Sequence, residues 1–328
     1  MLDAVIFTNY GQCLGKDMNE IRIDEKYGKL SNLKEVADQG GNSIVYRAQI
    51  NAMDVVVKVS TRIDGVARTE REFRNLNIVH QIQPMKVPQP ICLTTSRDGY
   101  VMSLVEGSSP RKIENELAQS MIDFLVGLQN PKFHVVSGSF ASDHVVKDIF
   151  GIEQLSRRIM EIKPRLEGEN KSVLVGLQEY FDKYVEFIEE RKVEPKNNLI
   201  VSPSDFGIHN MIQGGEQSEV VFIDFEYLGI DRPEKLLVDT LLHPRNMWNL
   251  DSRKVFASNF ISIFHVDVDY LNLMTKFAKI NWNLIHIRRH LERDYYELSN
   301  KELDTLFKFK DLGDFAEDMT FEEALELL

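Results

Sequence analysis

Residues 202–210 read Ser202-Pro203-Ser204-Asp205-Phe206-Gly207-Ile208-His209-Asn210, and fourteen residues after Asn210 comes Asp224, within Phe222-Ile223-Asp224-Phe225-Glu226. Moving a phosphoryl group onto a hydroxyl needs a carboxylate that holds the acceptor hydroxyl and takes its proton. It also needs an amide oxygen and a second carboxylate for the Mg²⁺ that bridges the nucleotide phosphates. Asp205 fits the first role, and Asn210 and Asp224 fit the others. The Asp-x₄-Asn spacing alone arises by chance in a chain rich in both residues. Its setting is more specific, because residues 199–201, 210–212 and 220–224 read as short strands about the Gly214-Gly215 turn, a hairpin with loops at its ends.

Upstream, a second group of residues suits the donor side of the same chemistry. Strand-like segments at 33–36, 44–48 and 55–59 are rich in branched residues and separated by turn formers, as in an antiparallel meander. Gln39-Gly40-Gly41-Asn42-Ser43 lies between the first two, where backbone amides could approach phosphates closely. Met alone, such a pair of glycines is simply a turn. Lys58 then stands in the middle of Val55-Val56-Val57-Lys58-Val59, and a lysine there needs a counter-charge. A charged helix is expected at 68–80, offering Glu72 as the partner and Glu70 as the second choice, and further strands are expected at 91–94 and 100–104. Four elements agreeing in order outweigh the turn reading.

Together these motifs resemble the aminoglycoside phosphotransferase and choline kinase family of the protein-kinase-like superfamily, from about residue 33 to about residue 300. The resemblance implies an α+β, two-lobed fold, with a small antiparallel-sheet N-lobe and a larger, mostly helical C-lobe. It implies ATP and Mg²⁺ as cofactors, Asp205 as catalytic base, and Asn210 and Asp224 as metal ligands. Gly40, Gly41, Asn42 and Ser43 would form the phosphate loop, and Lys58, partnered by Glu72, would grip the α- and β-phosphates. Residues 100–107, Glu106 among them, would connect the lobes and bind adenine through their backbone. Asp239, in Leu237-Val238-Asp239-Thr240, is similar to the family's later aspartate that braces the catalytic loop; by itself it reads as a surface helix acid.

One position departs from the family, which usually has a histidine where this chain has Pro203. Proline cannot donate the bracing hydrogen bonds, though its fixed φ could stiffen the loop. Ser-Pro-Ser-Asp-Phe-Gly with Ile-Asp-Phe-Glu-Tyr and Leu-Leu-His-Pro is similar to a bacterial branch often associated with surface-polysaccharide genes, which suggests a sugar-like acceptor.

Composition narrows the alternatives. The chain has 328 residues, 43% of them hydrophobic and 27% charged, with a net charge of -12. That sign repels nucleic acid and anionic membranes over the molecule as a whole, so neither is expected as a partner. Cys13 and Cys92 alone exclude a disulfide framework, a four-cysteine zinc site or a four-thiolate iron–sulfur cluster. No membrane-length apolar run and no signal-peptide pattern is present, so a cytoplasmic location is expected. The expected division is an N-terminal extension at 1–30, a nucleotide-binding N-lobe at 31–105 and a helical C-lobe at 106–328. Leu117, Met121, Phe124, Leu125 and Leu128 form one helical stripe in that lobe, and Leu177, Phe181, Tyr184 and Ile188 form another. The last eighteen residues hold seven acids and no base and read as a solvated tail.

Other motifs are weaker. His286 and His290 have the spacing of a metal pair, but Arg288 and Arg289 between them favour a solvated helix face. Trp248 and Trp282 read as core packing or, alternatively, as an aromatic wall for an acceptor. The chain is therefore read as an ATP- and Mg²⁺-dependent phosphotransferase for a hydroxyl of a small molecule, such as a sugar, aminoglycoside or amino alcohol, with the sugar-like acceptor favoured. The competing reading is a nucleotide-binding pseudokinase or regulatory protein on the same fold, for which Pro203 speaks and against which Lys58, Asp205, Asn210 and Asp224 speak. A protein-substrate kinase is disfavoured, because residues 227–233 are too few for an activation loop.

Overall fold

The computed structural model describes residues 21–36, 43–131, 150–166, 171–191, 198–214, 219–243 and 245–292. The chain forms two compact units, Met1–Glu106 with Val221–Glu226, and Gly107–Val220 with Tyr227–Leu328. The glycine-rich turn at Gly40, Gly41 and Asn42 and the acidic tail lie outside the described residues, as do the side chains of His286 and His290.

The first unit is built on a five-stranded antiparallel sheet with spatial order β1-β2-β3-β5-β4. Its strands are β1 (Leu30–Glu35), β2 (Ser43–Ile50), β3 (Met53–Ser60), β4 (Pro90–Leu93) and β5 (Gly99–Ser103). Asn51 and Ala52 join β2 to β3, both at positive φ (50° and 65°), as a two-residue hairpin of the primed type requires. That turn fixes the register from Ile50 opposite Met53 to Ser43 opposite Ser60. In consequence Val55, Val57 and Val59 bury one face with Tyr46, Ala48, Ile50, Cys92 and Val101, while Val56, Lys58 and Ser60 take the other. Ile21 and Ile23, from the segment read as an extension, enter the same cluster, and Ile23 bridges to Thr94. Each isoleucine buried this way contributes roughly 1.5–3 kcal/mol. Within this apolar cluster the Cys92 thiol is pushed up to about 11 by burial.

Helix α1 (Gly65–Ile82) follows β3 and starts three residues before the expected 68. Gly65 allows this start: its N–H bonds Arg62 O, and a Cβ there would meet Ser60 Oγ at 3.0 Å. The helix buries Thr69, Glu72, Asn75, Leu76 and Val79, one stripe that includes a carboxylate and an amide. The returning segment is tied to this unit by its backbone. Phe222 N–H donates to Lys86 O (2.8 Å), and Asn75 Nδ2 donates to Phe225 O (2.8 Å).

The second unit contains helices α2 (Asn115–Leu128), α3 (Ile152–Leu166), α4 (Lys171–Arg191), α5 (Pro233–Leu242), α6 (Leu250–Phe264) and α7 (Val268–Glu292). The α2 stripe is fully buried, as its 3.6-residue period requires; in α4 Tyr184 and Ile188 are buried and Leu177 and Phe181 half-buried. Short strands β6 (Ile200–Ser202), β7 (Met211–Gln213), β8 (Val220–Phe222) and β9 (Gly229–Asp231) fall where the sequence places its strand-rich island. β6 pairs antiparallel with β9, Ile200 opposite Asp231 and Ser202 opposite Gly229. On β6, Gln129 from the end of α2 acts as a one-residue neighbour strand: its Nε2 donates to Val201 O and its Oε1 accepts from Val201 N, both at 2.9 Å. No helix among the described residues is long and apolar enough to cross a membrane.

Candidate active site

In the first unit, alternation along β3 and the pairing of Lys58 with Tyr100 put both side chains on the face that receives Glu72. Lys58 Nζ lies 2.7 Å from Glu72 Oε1 and 3.1 Å from Asp224 Oδ1, and Tyr100 OH donates to Glu72 Oε1 at 2.7 Å. Of the two partners weighed for the lysine, the structure selects Glu72; Glu70 pairs instead with Arg97 at 2.7 Å. Burial pulls an ammonium down, but Glu72 and Asp224 outweigh it and hold Lys58 above its ordinary range. Burial lifts Glu72 to about 7, Lys58 opposing and Asp224 adding to the rise. Asp224 itself adopts a left-handed backbone (φ 66°), which aspartate tolerates better than most residues. Next to it Glu226 forms an ion pair with Arg68. Ser43 opens β2 opposite Ser60, and the Glu106 side chain meets Arg47 at an exposed 3.4 Å.

In the second unit, the segment after β6 holds Asp205 by a chain of local contacts. Ser204 takes a left-handed conformation (φ 61°), its N–H bonding Ser202 Oγ at 2.9 Å. Asp205 N–H then donates to Pro203 O at 2.8 Å. Phe206 is buried and stacks on Phe124 (centroids 6.2 Å apart, 18° between planes), which anchors the residue next to Asp205. Asn210 Nδ2 donates to Asp205 O at 3.1 Å, so the spacing of five closes a small ring that engages the amide nitrogen and not its oxygen. Asn246 completes the support: its Oδ1 accepts from Ile208 N (2.8 Å), and its Nδ2 donates to Phe206 O (3.2 Å) and Thr240 O (2.8 Å).

The aspartate that touches the loop is not the expected Asp239 but Asp231, the last residue of β9. Ser204 Oγ donates to Asp231 Oδ2 at 3.2 Å, and Asp231 is fully buried. Lys235 Nζ lies 3.5 Å from Asp231 Oδ2 and 2.7 Å from Asp239 Oδ2. Asp239 therefore acts on the loop through Lys235, whereas Asp231 touches it.

Two histidines flank the Asp205 carboxylate, His209 Nε2 at 3.5 Å and His243 Nε2 at 3.4 Å. Burial would raise this carboxyl, but the two imidazoles more than offset it and hold Asp205 well below the usual range. The rings stack at 5.0 Å, and Trp282 presents its edge to His243 at 5.0 Å. Gly207 makes room for both: a Cβ there would lie 2.5 Å from His209 Nδ1 and 2.8 Å from His243 Cε1. Trp248 instead packs on Phe256.

No protein-family model and no curated protein matches the sequence. Solved structures match the fold. A Plasmodium vivax ethanolamine kinase aligns at TM-score 0.54 and 12% identity, over 84% of this chain and 81% of that one. Spectinomycin phosphotransferase, in complex with ADP and spectinomycin, aligns at 0.57 and 11%, over 92% and 93%. A mutant aminoglycoside 2′-phosphotransferase in its GDP complex aligns at 0.58 and 17%, over 88% and 94%. The fold is the protein-kinase-like one. At these identities the likeness concerns architecture, a small antiparallel-sheet unit and a mostly helical one, and leaves the chemistry to be argued from the side chains.

Sequence reasoning missed Asp231, His243, Asn246 and Gln129. Asp231 could have been found as the acid ending a strand just before Pro233, the first residue of a helix. The other three act across 38 residues or more; His243 lies in the quoted Leu-Leu-His-Pro, but nothing local ties it, Asn246 or Gln129 to these partners.

Proposed function

We propose that this chain is an ATP- and Mg²⁺-dependent phosphotransferase acting on a hydroxyl of a small molecule, with a sugar-like acceptor favoured. The observation that carries the reading is the Lys58 ammonium held between Glu72 and Asp224 at 2.7 and 3.1 Å. A buried lysine between two carboxylates is costly as a purely structural device, and it is well suited to receive phosphate oxygens. The ADP and GDP in the neighbours' complexes favour a nucleotide as the donor.

The donor set fits a hard cation. Asp224 offers a carboxylate whose Oδ1 already faces the Lys58 ammonium at 3.1 Å, and Asn210 has its amide nitrogen engaged at Asp205 O. Carboxylate and amide oxygens are what Mg²⁺ prefers. Asp224 and Asn210 would hold it, and the chemistry it would supply there is positive charge to offset that of the phosphates. Lys58 would hold the α- and β-phosphates, with Glu72 fixing its direction. Asp205 would orient the acceptor hydroxyl and take its proton. Because its carboxyl is held low it is fully ionised near neutrality and only a weak base, so orientation is the larger share of its contribution.

The test is incubation with ATP and Mg²⁺ against sugars, amino alcohols and aminoglycosides, identifying products by mass. A singly phosphorylated sugar-like product is expected. Nucleotide binding that is indifferent to Mg²⁺, with no transfer to any acceptor, would favour the pseudokinase reading instead.

A further inference from the structure

We propose that His243, at the end of α5, is a positioning residue that holds the Asp205 carboxylate through an Nε2–H donor. The proposal rests on the reading of Asp205 as the group that orients the acceptor. The tautomer follows from the backbone. Arg245 N–H donates to His243 Nδ1 at 3.1 Å, so Nδ1 is the acceptor nitrogen and the proton resides on Nε2. That nitrogen lies 3.4 Å from Asp205 Oδ1. Oδ1 is closed to solvent and has no hydrogen-bond partner of ordinary length among the described residues; the imidazole stands about half an ångström beyond the usual N–H···O separation.

His243 is held where it stands. It is 8% exposed, stacked on His209 on one side and met by the edge of Trp282 on another. Three residues on, Asn246 bonds both Thr240 O in α5 and Phe206 O next to Asp205, which ties the end of α5 to the catalytic loop. The need is evident in the loop itself: Pro203 has no N–H to give.

The same three residues, Asp205, His209 and His243, could be taken for a metal site, since their ligand atoms lie within 4.8 Å of one another. The Arg245 N–H argues against it. Metal on His243 Nε2 would drive the proton to Nδ1, where it would oppose the backbone N–H at 3.1 Å.

Nitrogen NMR of the full chain labelled in its histidines reads the contact without any substrate, with His243→Gln assigning the resonance. The expected result is an Nε2–H tautomer whose Nε2 signal moves in Asp205→Asn. An Nδ1–H tautomer, an Nε2 signal unmoved by Asp205→Asn, or loss of the Nε2–H on adding Zn²⁺ alone would each overturn the proposal. Turnover gives the consequence. His243→Leu should lower kcat by about 10- to 100-fold, the range a misplaced group commands. Its KM for ATP should be unchanged, and His243→Gln, which keeps an N–H donor, should recover part of the loss. Wild-type kcat in His243→Leu would overturn the positioning role. A wild type that transfers phosphate to nothing would count against the phosphotransferase reading, and the NMR result would still decide the His243–Asp205 contact.

Discussion

Replacing Lys58 with methionine keeps most of the side chain's length and deletes its charge. The ammonium lies 2.7 Å from Glu72, whose side chain is 5% exposed, so its removal strands a buried carboxylate. Breaking such a pair from one side costs about 3–5 kcal/mol. The pH dependence of that cost follows from Glu72, which even with Lys58 present is lifted by burial to about 7 from an ordinary 4.5. A carboxyl raised in the folded state binds its proton more tightly there than in the unfolded chain. Stability is therefore greatest below the unfolded value and declines as pH rises from 4.5 towards 7, by about 3 kcal/mol across that gap. Without Lys58 the folded value climbs further. Lys58→Met should thus lose about 3–5 kcal/mol at slightly alkaline pH and only about 1–2 kcal/mol in mild acid, where Glu72 is neutral. The double variant Lys58→Met/Glu72→Gln removes both charges and keeps an acceptor for Tyr100 OH. It should recover most of the alkaline loss without recovering nucleotide affinity. Urea unfolding at both pH values and calorimetric titration with ATP and Mg²⁺ read the two effects separately. An equal loss at both pH values, or a double variant no more stable than the single one, would refute the reasoning.

Gly207→Ala should push the imidazoles of His209 and His243 aside, since its Cβ would lie 2.5 and 2.8 Å from ring atoms; turnover should fall while ATP affinity holds, and thermal unfolding should show about 1–3 kcal/mol of strain. Gln129→Leu removes both contacts to Val201 on β6, and chemical denaturation should show about 1–3 kcal/mol lost from unsatisfied backbone groups. Asp231 is raised by burial, so its ionised form opposes folding as pH climbs through the carboxylate range; Asp231→Asn should flatten that part of the stability-pH curve measured by urea unfolding.

The sheet was legible because its rules are local. Val55, Val57 and Val59 alternate with Val56 and Lys58, so a period of two places the lysine opposite the valine core before any coordinate is known. The choice between Glu70 and Glu72 was also in the sequence: Glu72, Asn75, Leu76 and Val79 share one helical stripe, and Glu70 falls off it. Asp205 and Asn210 were legible because their spacing closes a ring within one loop. What surrounds Asp205 was not. His243 reaches it from beyond the end of α5, and Asn246 bonds the neighbouring Phe206 and Ile208. The acid that touches the loop is Asp231, with the expected Asp239 behind it through Lys235, because β9 returns beside β6 and delivers Asp231 under Ser204. Such contacts depend on tertiary placement, which no pattern along the chain encodes.

The central claim, that Asp205 serves phosphoryl transfer, is tested most directly by comparing wild type and Asp205→Asn in one assay that follows both ATP binding and product mass with a sugar acceptor that the wild type phosphorylates. The substitution keeps the size of the side chain and removes its charge and its basicity. ATP affinity should stay at the wild-type value while transfer falls by roughly 10²–10⁴-fold, towards the lower end if orientation dominates. An Asp205→Asn variant that transfers phosphate at the wild-type rate would contradict the account.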